Sequence, residues 1–328
     1  MSNKLIEISE LHNNDYAFME GLEGLVNVKM QLSKKDGFLT QQNINIHNKD
    51  CVQFLKTIPN NSIDFVLTDP PYFLDKLDNN WDNTSIQNGI KNSKTIGGLP
   101  VGMKFDKEQG KNLQEFFYNV SLELIRVLKP GGFMIAFSQG RLIHRLAVAS
   151  EDAGFEIRDL FVWQHGGGQG KAFTQNHFVK KMNIDDNHKK EIILKLQERK
   201  TPQLRPKFEP MILAQKPREG TFVDNWLKYE TGLVKIGFDN EKYQQTTIFK
   251  YKKPHKNKEF EHMAIKPLDM FSKLIEIFTT ENQVILDPFL GSGTCAEAAL
   301  MKNRKIYGSE IEPKYFYNIL RRIGNYID

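Results

Sequence analysis

Two short motifs carry residue types that could do chemistry. The first, Asp69-Pro70-Pro71-Tyr72, directly follows the run Ile63-Asp64-Phe65-Val66-Leu67-Thr68. A mostly apolar run of that length reads as a buried parallel strand. The two prolines remove backbone donors and stiffen the loop. The Asp69 carboxylate and the Pro70 carbonyl then stand as acceptors at the sheet edge. Two such acceptors can hold both hydrogens of an amine and turn its lone pair toward an electrophile. Tyr72 offers a flat face on which a planar ring could stack. Taken alone, the tetrad also fits a Pro-rich turn with an exposed Tyr.

The second motif, Asp287-Pro288-Phe289-Leu290-Gly291-Ser292-Gly293-Thr294, follows Val284-Ile285-Leu286. A strand, a tight glycine turn and a helix N-terminus let the backbone pass close to a ligand and aim free N–H groups at it. The Lys of a phosphate loop and the third Gly of a dinucleotide fingerprint are both missing. Glu310 lies just past the next strand, where a carboxylate can accept hydrogen bonds from ribose hydroxyls. Together these features suggest a ligand with a nucleoside and no phosphates. The glycines alone also fit a plain tight turn.

The elements that must position these motifs alternate along the chain. Strands are expected over 44–46, 63–68, 133–137, 155–163, 211–214, 284–286 and 305–308. Helices are expected over 52–58, 114–128, 141–153, 267–279, 295–301 and 314–323. Strand–helix alternation argues for an α/β fold, a parallel sheet with helices on both faces. Ligands bind beyond the carboxyl ends of such strands. Residues 1–43 show no clear period and read as an N-terminal extension. Residues 44–165 read as the catalytic part, and 262–328 as the cofactor-binding part. Residues 166–261 read as an inserted target-recognition region with one core strand near 210–216.

Composition narrows the class. The chain has 328 residues with a net charge of +5. Between His165 and His262 there are 20 Lys/Arg against 12 Asp/Glu, so the excess sits in the middle of the chain and the remainder is net negative. A basic central third suits a phosphate backbone, although a solvated lysine-rich face would look the same. Cys51 and Cys295 are the only cysteines, too few and too far apart for a disulfide framework or a zinc site. No metal site is expected, and no apolar run nears the ~18–20 residues of a membrane span. The polar start and the reduced cysteines make a cytoplasmic location the default.

The tetrad and the glycine motif together, in this order, resemble the DNA amino-methyltransferase family in its circularly permuted, beta-type arrangement. The resemblance covers roughly residues 44–165 and 205–325. It implies a Rossmann-like methyltransferase sheet, S-adenosyl-L-methionine as cofactor, and double-stranded DNA as partner, with the target adenine flipped out of the helix; a homodimer is left open. The catalytic set it implies is Asp69, Pro70 and Tyr72. The cofactor set is Asp50, Cys51, Lys266, Asp287, Pro288, Phe289, Gly291, Gly293, Thr294 and Glu310. Asn48-Lys49-Asp50-Cys51 resembles the segment that contacts the cofactor's adenine. Ala264-Ile265-Lys266-Pro267 resembles the one that helps hold its methionine moiety. Leu128-Lys129-Pro130-Gly131-Gly132 resembles the helix-to-strand turn of the same sheet. Phe208-Glu209-Pro210-Met211-Ile212 resembles the last strand, with Phe208 where the family often has His.

Each assignment has a plainer alternative. Asp50 could cap a helix, Lys266 could be a surface lysine, and Glu310 could be a solvated strand end. Phe289 could be core, and Cys51 packing. The implied recognition segments, 166–207 and 218–261, interleave lysines with aromatics such as Phe173, Phe178, Trp226 and Tyr251. Their most basic run is Lys250-Tyr251-Lys252-Lys253-Pro254-His255-Lys256-Asn257-Lys258. Asn176, Arg205, Gln244 and Gln245 are types that read base edges. The stretch 75–111, with Gly97-Gly98-Leu99-Pro100, is expected to act as a flap, and Gly166-Gly167-Gly168 as a hinge.

The activity implied is methylation of the adenine N6 amine. The cytosine N4 amine is the nearest alternative, and in the family it more often goes with Ser at the first tetrad position. An RNA or protein-amide target and a non-catalytic nucleic-acid-binding protein are further alternatives. The lack of a Pro-Cys pair argues against ring-carbon cytosine methylation.

Overall fold

The computed structural model describes residues 29–31, 37–72, 107–167, 172–202, 204–237, 245–254 and 265–326. The expected flap falls outside the described residues up to position 106. So do Gly168, Tyr243, Gln244, residues 255–258 and Ala264.

Ten strands form one sheet among the described residues: β1 (Lys29–Gln31), β2 (Phe38–Gln41), β3 (Ile44–His47), β4 (Ile63–Thr68), β5 (Leu128–Phe137), β6 (Glu156–Gln164), β7 (Phe208–Gln215), β8 (Ile248–Lys250), β9 (Val284–Asp287) and β10 (Lys305–Ser309). Their order across the sheet is β1-β2-β3-β10-β9-β4-β5-β7-β6-β8. From β3 through β10, β9 and β4 to β5 the neighbours are parallel. β7 runs antiparallel between β5 and β6, and β8 returns parallel to β6.

Helices cover both faces. α1 (Cys51–Leu55), α2 (Lys107–Val127) and α3 (Ile143–Asp152) lie on one, where Phe54, Phe117, Leu124 and Leu146 pack on Val66, Met134 and Ala136. The segment 166–261 adds α4 (Asn176–Lys180), α5 (Asp186–Lys195) and α6 (Phe222–Tyr229). α7 (Leu268–Phe278), α8 (Thr294–Met301) and α9 (Pro313–Arg322) lie on the other face. α7 buries Met270, Phe271, Leu274, Ile275 and Phe278, a helical stripe. Phe271 stacks on Phe137 and Phe278 on Phe65, at centroid distances of 5.6 and 5.2 Å. Each such buried side chain contributes about 1.5–3 kcal/mol. No helix among the described residues is long and apolar enough to cross a membrane.

Four expectations are corrected. The sheet is mixed and not all parallel, because β7 runs antiparallel to both of its neighbours and β2 to both of its own. Residues before 44 are not only an extension: β2 pairs antiparallel with β3 and β1 with β2, and Leu39 is fully buried. The helix expected from 114 begins at Lys107, so the last part of the expected flap is helical. The segment from 218, for which no helix was expected, holds one, since Thr221 and Asp224 form a capping box that starts α6.

The mixed topology gathers chemistry on one edge. β3, β10, β9, β4 and β5 all end there, followed or ended by Asp50, Glu310, Asp287, Asp69 and Ser138. β7 begins there, because Met211 pairs with Phe137 and Ser138 N–H donates to the Pro210 carbonyl at 3.0 Å. Glu209 therefore arrives beside Asp69.

Candidate active site

Asp69 leaves β4 with its carboxylate engaged on both oxygens. Tyr72 Oη donates to Oδ1, and Lys266 Nζ donates to Oδ2. Lys266 stands just before α7 and is 5% exposed. Its ammonium also lies 3.3 Å from Glu209 Oε2 and 5.1 Å from the centre of the Phe137 ring. Burial alone would lower the Lys266 pKa; Asp69 and Glu209 outweigh it and hold the group above its usual value. Burial likewise pushes Glu209 up, but Lys266 and Lys253 prevail and hold it below the usual range. Burial, then the negative charges of Asp69 and Glu209, raise Tyr72 well above an ordinary phenol. Pro70 is buried beside them.

Opposite the tetrad stands the glycine turn. Asp287 closes β9, and its Oδ1 accepts Thr68 Oγ1 at 2.7 Å and Phe289 N–H at 3.0 Å. Burial, only partly offset by these bonds, pushes its carboxyl up to about 7, with Asp69 and Glu310 adding to the shift. Glu310 is buried too, and burial pushes it up to about 7. Its oxygens accept Gly291 N–H at 2.8 Å and Glu312 N–H at 2.9 Å, so Glu310 braces the turn. Gly293 begins α8 at φ 77°, where a side chain is strained, and a Cβ there would lie 3.3 Å from Ile319 Cα. Arg322 supports the turn from behind, reaching the Ser292 carbonyl at 2.9 Å and Thr294 Oγ1 at 3.0 Å. Thr294 is thus a brace of the turn. Pro288 is buried, with its carbonyl accepting Ser309 Oγ at 2.9 Å.

The remaining expected cofactor residues line a second part of the same edge. Asp50 caps α1, accepting Gln53 N–H at 3.0 Å. Cys51 is buried, and burial pushes its thiol up to about 12. Phe289 is half-buried, with its ring 5.9 Å from Phe116. A cleft of about 540 Å³ with Asp50, Val52 and Phe116 in its walls opens between α1 and α2.

These residues fit a cationic nucleoside. Buried carboxylates at Asp287 and Glu310 meet no cationic side chain among the described residues, and the turn allows close approach. Ser138 Oγ and Gln139 Nε2, just after β5, are buried without a hydrogen-bond partner among the described residues. So is Gln109 Nε2, a residue tied to that loop through Arg141. Among the described residues no group of three or more His, Cys, Asp or Glu could hold a metal ion.

Lysines gather at the far end of the edge. A cleft of about 510 Å³ is lined by Gln164, His165, Lys207, Lys250, Tyr251 and Lys252. Lys253 Nζ meets Glu209 Oε1 at 3.1 Å and sits 5.5 Å from the centre of the Trp163 ring. His165 Nε2 lies 3.9 Å from the same Glu209 oxygen. His165 and Lys253 therefore connect this end of the edge to the tetrad through Glu209 and Lys266.

Lys266, expected to help hold the methionine moiety or to sit on the surface, has its buried ammonium on the tetrad. Glu209 was not expected in the site. Its signal was a lone carboxylate near the start of a mostly apolar strand.

Residues 63–321 match the N6/N4 methyltransferase family, described as DNA methylase. The chain is 31% identical over 301 residues to the type II methyltransferase M.HindIII of Haemophilus influenzae, covering 85% of this chain and 94% of that protein. It is similar in fold to the PvuII DNA methyltransferase (cytosine-N4-specific), with a TM-score of 0.57 at 16% identity, over 88% of this chain and 87% of the other. It is similar also to the M1.HpyAVI–SAM complex, with a TM-score of 0.52 at 20% identity, over 85% and 98%.

Proposed function

The chain belongs to the N6/N4 family of DNA methylases, and on that premise we propose that it methylates the N6 amine of adenine in double-stranded DNA. The observation that carries this reading is a carboxylate, Asp69, at the end of β4 beside a buried Pro70 and across from the glycine turn. The family uses S-adenosyl-L-methionine, which supplies an electrophilic methyl group on a sulfonium. Asp287, Glu310, Phe289 and the turn from Gly291 to Gly293 would hold it, the carboxylates complementing its charge and ribose.

The chain's own residues do the rest. Asp69 and the Pro70 carbonyl accept the two hydrogens of the target amine and aim its nitrogen lone pair. Nitrogen gains the methyl group as the donor's C–S bond breaks with its pair returning to sulfur, and becomes cationic, so the Asp69 carboxylate is placed to take the proton it must lose. Tyr72 turns from Asp69 to stack on the flipped base. Positioning and fixed charge supply most of the acceleration. Lys207, Lys250 and Lys252 contact backbone phosphates and position the duplex without reading its sequence.

Adenine is preferred over cytosine because the first tetrad residue is Asp, whereas Ser more often accompanies cytosine N4 chemistry in the family. The test uses labelled cofactor and unmethylated DNA, digested to nucleosides. Label in N6-methyldeoxyadenosine is expected. Label in N4-methyldeoxycytidine would overturn the base while keeping the mechanism.

A further inference from the structure

We infer that Lys266 occupies the seat of the target amine in the resting site and hands its ammonium to Glu209 when the amine arrives. Glu209 is then a positioning residue for transfer. This deepens the methyl-transfer reading and rests on it.

The first observation is occupancy. Lys266 donates to the very carboxylate that must receive the amine, and Tyr72 holds the other oxygen. An amine hydrogen bound at Asp69 Oδ2 competes with the ammonium already there.

The second is burial. At 5% exposure Lys266 cannot give its charge to water, and a buried ammonium stripped of partners is strongly disfavoured. It needs another carboxylate within reach. Glu209 Oε2 is 3.3 Å away, and lysine's flexible stem with three donors allows the shift. Phe137 keeps its face on the ammonium, 5.1 Å away. The handover moves no net charge, because Asp69, Glu209 and Lys266 remain together. Glu209 also keeps Lys253 on its other oxygen.

The third is charge. A cationic cofactor brought near Asp69 and Asp287 repels an ammonium on Asp69 and favours the one on Glu209. The neutral by-product, S-adenosylhomocysteine, exerts no such push. Cofactor charge is thereby coupled to clearance of the amine's seat.

The test compares the wild type with Lys266→Met, Glu209→Gln and the double variant. Binding of S-adenosyl-L-methionine and of S-adenosylhomocysteine is measured by calorimetry without DNA. Lys266→Met is expected to improve the preference for the cationic ligand about tenfold, and Glu209→Gln to weaken it a few-fold. Equal preference in all four proteins overturns the inference, whichever base is methylated. Single-turnover transfer is the second readout. Glu209→Gln is expected to slow it about tenfold or more, and adding Lys266→Met to restore most of the rate, since a seat with nothing to receive is dispensable. Losses that merely add contradict the handover. If Glu209→Gln does not melt cooperatively, Glu209→Asp replaces it, withdrawing the seat while keeping the charge, with the same rescue expected. A wild type that methylates no DNA sinks the methyl-transfer reading, and the binding preferences still decide the handover.

Discussion

The hydroxyl of Thr68 donates to Asp287 Oδ1 at 2.7 Å, across 219 positions of sequence. Thr68 is the last residue of β4 and Asp287 the last of β9. The bond fixes the tetrad's point of departure relative to the glycine turn, so in the proposed reaction one contact between neighbouring strand ends would place amine and methyl donor. Thr68→Val keeps the shape and leaves a buried carboxyl with one partner fewer. A loss of about 1–3 kcal/mol in stability is expected, with weaker cofactor binding, both measurable by melting with and without cofactor. An unchanged melting point in both conditions would show that the bond places nothing.

Asp287 and Glu310 give the site a pH dependence. Both are pushed up to about 7 by burial. A carboxyl raised in the folded state favours its protonated form there. The ligand-free protein therefore loses stability as pH rises from roughly 4 toward 7, and the full cost is present above that. A cation reverses the preference, so cofactor binding near neutral pH releases protons and tightens as pH rises. Calorimetry in two buffers of different ionisation enthalpy reads the release directly. Glu310→Gln should reduce it and weaken binding about tenfold. Binding with no proton exchange at neutral pH would contradict the site as described.

The lysine cleft makes a separate prediction. Lys250 and Lys252 line it together with Lys207. Replacing Lys250 and Lys252 by Gln should lower the log–log salt slope of DNA binding by about 2, one per lost phosphate contact. Cofactor affinity should not change. A slope equal to the wild type would move the duplex to another surface.

Much of the site was legible because buried strands announce their own ends. Asp69 and Asp287 each follow an apolar run, and Glu310 follows the next strand, so all three could be placed on the carboxyl edge before any coordinate. Glu209 could not. It is the second residue of β7, and only the antiparallel direction of that strand brings it to the edge where β4 and β5 end. Lys266 was legible as a motif residue, but its partners lie on β7 and after β4, a pairing that spacing alone does not encode. Elements with little buried surface were also missed. α5 buries no residue, and β2 buries Leu39 alone among its four, so neither prints a hydrophobic period. α6 was marked by Thr221 and Asp224 at capping-box spacing, while its Val223 and Leu227 face solvent and hide the helical stripe.

The most direct test of the central claim is single-turnover methyl transfer by Asp69→Ala, with cofactor binding measured on the same sample. If Asp69 receives the target amine, transfer should fall by about a thousandfold or more, an effect of ~4 kcal/mol on the barrier, while cofactor affinity stays within a few-fold. Transfer within tenfold of the wild type would show that the amine is activated elsewhere.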